Sequence, residues 1–72
     1  MDWLDCEVIE RVPGRMSGAP VLRHSRVRPE DLLANLEEGP EWLAEQHDLP
    51  LADVVSVIAF YRRHQDQLAP AP

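Results

Sequence analysis

The chain has no lysine, only one cysteine, Cys6, and no apolar run near the length of a membrane span. A single thiol excludes a disulfide within the chain. Together with the lack of an apolar, leader-like segment at the start, it predicts a reducing, cytoplasmic location. Crossing a bilayer takes about 20 consecutive apolar residues, so we expect no membrane-spanning helix.

Residues that commonly hold metals or perform catalysis are also sparse. The histidines at 24, 47 and 64 are widely separated in sequence and form no close ligand pair, which argues against a zinc site. The serines have no nucleophile-elbow sequence around them, and Gly14 and Gly18 do not form a phosphate loop. We therefore expect no enzymatic activity, no metal and no cofactor.

The length of 72 residues allows one small domain. A chain of this size buries only about 60% of its unfolded surface, and such domains usually gain stability from disulfides, a metal or a second subunit. A disulfide within the chain is excluded and a metal is not indicated, so we expect a second subunit to provide the additional stability. We predict a homodimer of a single domain over residues 1–68, followed by a flexible tail at 69–72.

The charges are sorted into blocks within a net charge of −6. Residues 11–29 hold five arginines and no acid, whereas residues 30–53 hold eight acids and no lysine or arginine. The guanidinium group can bind a phosphate or a carboxylate through two parallel hydrogen bonds. The arginines could therefore contact nucleic acid or pair with the protein's own acidic helices, and both interpretations stay open. The candidate nucleic-acid-binding residues are Arg15, Arg23, Arg26 and Arg28.

The first third of the chain is typical of a small β element. Residues 6–12 predict a short strand, and Pro13-Gly14 predicts a turn after it. Residues 21–27, between two prolines, are compatible with a second short strand.

A first helix is predicted to start at Pro29, because proline at the first helical position leaves no N–H unpaired. Leu32, Leu33 and Leu36 give this helix one apolar face. Gly39 is suited to the position just beyond its end.

A second helix is predicted over residues 40–48, and a third from residue 50 or 51 to about residue 67. The third is apolar around most of its circumference, which predicts a central position or contact with a second subunit. The short joint between the two fits a helix-turn-helix unit. In DNA-binding versions the start of the second helix of the unit contacts the nucleobases. Here the start of that helix carries Asp53 and no basic residue. A tri-helical packing unit is therefore the preferred interpretation.

Several short motifs follow one another in an order typical of one protein family. After Pro13-Gly14 these are Gly18, Pro20, Val21, Arg26 and Val27, then Gly39 at a helix end, then Leu49, Asp53 and Val54. In this order and spacing, residues 6–64 resemble the domain-of-unknown-function 433 family, small bacterial and archaeal proteins often regarded as VapB-like antitoxins. His24 and Ser25 stand where the family has Gly-Thr, and glycine adopts a positive φ more readily than histidine.

The resemblance implies a mainly α, homeodomain-like tri-helical fold with a short N-terminal β element. It also implies a PIN-like ribonuclease toxin as partner, and repression of the protein's own operon by a DNA-binding dimer. The acidic block would suit the cationic RNA-binding surface of such a toxin, with Trp42 as an anchor if it is exposed. The alternatives are a stand-alone small transcription regulator and a dimeric interaction module without DNA binding. The candidate partner-binding residues are Glu37, Glu38, Glu41, Trp42 and Glu45.

Overall fold

The computed structural model describes residues 3–68, apart from the side chains of Met16 and of residues 65–68. The fold is mainly helical with a small two-stranded sheet, as the sequence predicts in outline. Its regular elements are strands β1 (Ile9–Glu10) and β2 (Val21–Leu22), helices α1 (Pro29–Leu33), α2 (Pro40–His47) and α3 (Leu51–Leu68), and 3-10 turns at Trp3–Asp5, Met16–Gly18 and Leu36–Glu38. The predicted tail at 69–72 lies outside the described residues.

The two strands pair in an antiparallel sheet with Ile9 opposite Leu22 and Glu10 opposite Val21. Each strand is two residues long, so the predicted strands at 6–12 and 21–27 are too long. The second is shortened because the N–H of Leu22 donates to the carbonyl of Val27 at 2.8 Å, which folds the residues between them into a tight turn.

The first predicted helix is also shorter than expected, and the prediction that it continues to Gly39 is wrong. α1 ends at Leu33, and Asn35 has a non-helical backbone with φ −126 and ψ 36. The N–H groups of Asn35 and Glu38 then bond to carbonyls three residues back, which gives the 3-10 turn. Asparagine favours such a break because its side chain competes for backbone hydrogen bonds. Gly39, at φ 92, follows the 3-10 turn instead of the helix.

The hydrophobic core lies where α3 meets α2, α1 and the sheet. Burying one such aliphatic side chain stabilises the fold by about 1.5–3 kcal/mol. The ring of Trp3 also packs on Phe60, with 5.6 Å between ring centroids, and so covers one end of the core. Side chains with no accessible surface in this core are Val21, Leu22, Leu32, Leu43, Val54 and Val57.

α3 is central in the fold, but one of its faces stays exposed. Val54, Val57 and Phe60 point into the core, whereas Leu51 is 45% exposed and Val55 is 47% exposed. The chain's own core therefore buries only part of the apolar surface of this helix.

Among residues 3–68, no helix combines the length and apolar character that a membrane span requires.

Candidate functional site

α2 separates a buried face from an acidic, exposed one. Leu43 and Ala44 are buried, while Glu41, Trp42 and Glu45 are exposed, with Trp42 at 40%. At 100° per residue, the exposed positions, with Gln46, lie within an arc of about 140° on one side of the helix. The sequence around Trp42 therefore folds so that its ring projects beside two carboxylates.

The ends of α2 fix the direction of this face. Gly39 at φ 92 is followed by Pro40 at the first helical position. At the other end, Asp48 adopts the left-handed conformation with φ 54 and ψ 50. Its N–H donates to carbonyls of the last turn, and the N–H of Leu49 reaches the carbonyl of Ala44 at 2.9 Å. Such a left-handed residue ends a helix by satisfying its last carbonyls.

The preceding 3-10 turn extends the acidic surface. Glu37 and Glu38 are exposed there, and neither they nor Glu41 and Glu45 form an ion pair among the described side chains. These four carboxylates and Trp42 are called the acidic surface below. All five residues were predicted to bind a partner, and the structure places them on two consecutive elements that pack against each other, the 3-10 turn Leu36–Glu38 and α2.

The charges of the acidic surface serve the stability of α2 only in part. Glu41 lies in the first turn, where a carboxylate favours the helix dipole. Glu41 and Glu45 are four residues apart, however, a spacing at which like charges destabilise a helix by about 0.2–0.5 kcal/mol. Glu45 also lies in the last turn, where a carboxylate opposes the helix dipole. A purely structural role therefore explains Glu45 poorly.

The candidate arginines are largely engaged within the chain. Arg15 Nη1 donates to Glu10 Oε2 at 2.6 Å and to the carbonyl of Ser25 at 3.4 Å. Arg28 pairs with Asp31 at 3.4 Å, and its backbone N–H donates to the same carboxylate at 3.1 Å. Both pairs are partly exposed, so solvent screening leaves each of them a small contribution to the stability of the fold.

Arg23 forms the best-ordered of these pairs. Its Nε donates to Asp53 Oδ2 at 3.2 Å and its Nη2 to Asp53 Oδ1 at 3.0 Å. The Asp53 side chain is only 7% exposed, while that of Arg23 is 47% exposed. Hydrogen bonding to Asp53 raises the pKa of Arg23. Of the four candidates, Arg26 alone is exposed without an ion pair among the described side chains.

Three of the four candidate arginines are held by carboxylates on three different elements, β1, α3 and α1. This arrangement favours the interpretation in which the basic block pairs with the protein's own acids.

A tight turn after β2 depends on Glu10, a residue that the sequence did not single out. The N–H of His24, at φ 62, donates to Glu10 Oε2 at 3.0 Å. This bond, followed by the one from Arg15, lowers the pKa of Glu10. The hydroxyl of Ser25 closes the turn by donating to the Leu22 carbonyl at 2.7 Å and accepting the N–H of Val27 at 3.1 Å. An isolated glutamate in a short strand carries no local signal of this role.

Two open grooves flank the exposed side of α3. The first, about 580 Å³, lies between α3 and residues 5–7 and is called the N-terminal groove. The second, about 550 Å³, lies between α3 and residues 36–40 and is called the Leu36 groove. Val55 and Ala59 border both. Cys6, at the floor of the first groove, is buried, and burial raises the pKa of its thiol, which disfavours the reactive thiolate.

The histidines stay apart in the fold. The ring of His64 packs against Phe60 with 4.7 Å between centroids, and His24 lies in the turn after β2. Within the part of the chain that the structure describes, no three His, Cys, Asp or Glu side chains meet in a metal-binding group.

Residues 9–61 match the sequence model of a family described as "Protein of unknown function (DUF433)". The chain belongs to the DUF433 family. The match covers well over half of the chain and confirms the family resemblance seen in its motifs. No curated protein and no solved structure matches this DUF433 member, and the VapB-like label stays a prediction.

Proposed function

We propose that this DUF433 protein is a non-enzymatic adaptor of the antitoxin type that binds a basic partner protein through its acidic surface. The observation that carries the proposal is Trp42, 40% exposed beside carboxylates that have no counter-charge among the described side chains. The resemblance to antitoxins is consistent with this role.

The two components of the surface would act differently. Tryptophan is enriched among the few residues that carry most of the energy of a protein interface. The carboxylates at 37, 38, 41 and 45 would attract a basic surface and speed association more than they tighten it. The surface is therefore suited to a partner with a cationic face and an apolar pocket.

A PIN-like ribonuclease toxin is the partner class that the family resemblance suggests. An enzyme that binds RNA presents cationic side chains to phosphates. A row of carboxylates on a short helix could occupy those side chains in place of the RNA and block its entry. Neutralisation of the toxin would then follow from competition for its substrate-binding face.

Binding to operator DNA is a second candidate function. Its support is the exposure of Arg26 and the short joint between α2 and α3, which suits a homeodomain-like, helix-turn-helix arrangement. The start of α3 supports it less, because Leu51 and Ala52 are uncharged and Asp53 is bound to Arg23. A protein–DNA complex would show binding that weakens steeply with salt, whereas a pure interaction module would show no DNA binding.

Native mass spectrometry of the protein purified from its own host at moderate salt tests the adaptor proposal. We expect a stoichiometric complex with a basic, PIN-like ribonuclease whose RNA cleavage is inhibited in the complex. Trp42→Ala should weaken the complex by about 30-fold, corresponding to about 2 kcal/mol.

Arg26→Gln is the matched control for that experiment, because it changes an exposed side chain away from α2. It should leave the partner affinity unchanged. A complex that tolerates Trp42→Ala and also Glu41→Gln with Glu45→Gln would contradict the proposed use of the acidic surface.

A further inference from the structure

The exposed face of α3 is a second surface, which meets the acidic surface only at Glu37, on the wall of the Leu36 groove. At 100° per residue, its positions lie within an arc of about 140° that faces away from the core. Its apolar part contains two of the most exposed large aliphatic side chains of the chain, Leu51 and Val55. The face consists of Leu51, Val55, Ser56, Ala59, Arg62 and Arg63.

Charges of both signs border this face, whereas the acidic surface carries only carboxylates. Arg62 stands across the Leu36 groove from Glu37, and Arg63 stands across the N-terminal groove from Asp5 and Glu7. Arg62, Arg63, Glu7 and Glu37 form no ion pair among the described side chains. Two arginines and three carboxylates thus border one apolar ridge, in a protein whose net charge is −6.

A border with charges of both signs selects among partners. The two arginines would repel a strongly basic protein and so offset most of its attraction to the acids. A second copy of the chain instead carries the same two arginines and three acids. In a two-fold interface residue i contacts j while j contacts i, so every arginine can meet a carboxylate of the other copy.

The dimensions of α3 indicate which parts of this surface must take part. The regular part of the helix before the break at His64, residues 51–63, is about 20 Å long and about 10 Å wide, so its ridge alone offers a footprint of a few hundred Å². A stable interface of standard size buries about 800 Å² per partner, about a sixth of the 4768 Å² of accessible surface. The walls of both grooves would therefore have to join the contact, and these walls carry Asp5, Glu7 and Glu37.

We propose that the exposed face of α3, with its two flanking grooves, is a self-association surface on which a second copy of this chain packs about a two-fold axis. The contact buries Val55 and Leu51 of both copies and places Arg62 and Arg63 of each against carboxylates of the other. It uses Glu37 at the edge of the acidic surface but leaves Glu41, Trp42 and Glu45 on α2 free, so that a dimer could bind two partner proteins.

Sedimentation velocity tests the apolar part of the proposed contact. It is recorded over about 1 to 200 µM, because an association equilibrium shifts with concentration. The wild-type chain should form a dimer, and Val55→Glu should raise the dissociation constant at least about tenfold because it puts a charge into the contact. Gln46→Glu is the matched control, since it adds the same charge to an exposed position on α2. It should leave the dimer intact.

A pair of charge-reversed variants tests the polar part without assuming which arginine meets which acid. One variant carries Arg62→Glu and Arg63→Glu, and the other carries Glu7→Arg and Glu37→Arg. Each alone should be monomeric because like charges then face each other across most of the border, where Asp5 alone keeps the opposite sign in the second variant. An equimolar mixture should form a heterodimer, visible by native mass spectrometry.

Three outcomes would overturn the proposal. The first is a wild-type chain that stays monomeric over the whole range, and the second is a dimer that survives Val55→Glu. The third is a mixture of the reversed variants that stays monomeric while both remain folded by circular dichroism. If the wild type is monomeric and Val55→Glu instead blocks capture of the basic protein, the face binds that protein and the assignment to a second copy is wrong.

Discussion

Arg23, in the turn after β2, holds Asp53, in the first turn of α3, through two parallel hydrogen bonds of 3.2 and 3.0 Å. Asp53 is the buried charged side chain of the described core, and its guanidinium partner supplies the counter-charge that burial requires. The backbone N–H of Arg23 also donates to the carbonyl of Val8 at 2.8 Å. One residue thereby fixes the β element against the longest helix.

Replacing Arg23 by glutamine should lower the unfolding midpoint clearly, because the buried carboxylate of Asp53 would lose its bidentate partner. Thermal unfolding followed by circular dichroism measures the effect. The matched control is Arg26→Gln, since Arg26 is exposed and forms no ion pair among the described side chains. Equal midpoints for the two variants would show that the Arg23–Asp53 pair does not stabilise the fold.

Asp53→Asn completes a double-mutant cycle with Arg23→Gln. The double variant should be destabilised by less than the sum of the single effects, since the two residues interact directly. Additive effects would mean that the pair seen in the structure carries no coupling in solution.

Replacing His24 by glycine should make the folded protein more stable. Its φ of 62 is a left-handed conformation that costs an L-residue about 1–2 kcal/mol, while glycine gives back part of this gain, about 0.5–1 kcal/mol, through its greater freedom when unfolded. We expect His24→Gly to stabilise the fold by about 0.5–1 kcal/mol, which raises the midpoint by several degrees.

His24→Ala is the control, because it removes the imidazole but keeps the Cβ atom that causes the strain. Alanine should not stabilise the protein, and the N–H donated to Glu10 is retained in both variants. A stabilisation by alanine as large as that by glycine would place the cost in the imidazole and not in the backbone.

The helix bounds that depend on local signals could be predicted from the sequence. Pro40 begins α2 and Leu51 begins α3, as expected from the residue types that favour helix starts. The end of α1 could not be predicted, because Leu32, Leu33 and Leu36 keep a helical spacing across the break at Asn35. Burial of Leu32 and the non-helical backbone of Asn35 outweigh that spacing.

The candidate site also has a part that the sequence predicts and a part that it does not. The exposure of Glu41, Trp42 and Glu45 follows from the helical period, because Leu43 and Ala44 take the buried side. The carboxylate with which each arginine pairs cannot be read from the helical or strand period of the sequence. Arg23 meets Asp53 across 30 residues of sequence, and only the folded chain brings the two together.

Glu10 should make the protein less stable in acid. Its carboxylate accepts the N–H of His24 and is paired with Arg15, which holds its pKa below the ordinary value of 4.5. The stability from this lowered pKa is fully present above pH 4.5 and is lost as the pH falls below 4.5 through the folded pKa. The difference in unfolding midpoint between the wild type and Glu10→Gln should therefore be largest at neutral pH and shrink towards pH 3.

Arg15→Gln separates the two causes in that experiment. The hydrogen bond from the His24 N–H is the larger cause of the lowered pKa, so this variant should keep most of the acid dependence that Glu10→Gln removes. Unfolding curves recorded at several pH values between 3 and 7 for the three proteins give the comparison. If Arg15→Gln abolishes the acid dependence, the ion pair with Arg15 controls the protonation of Glu10, and the turn at His24 contributes little to it.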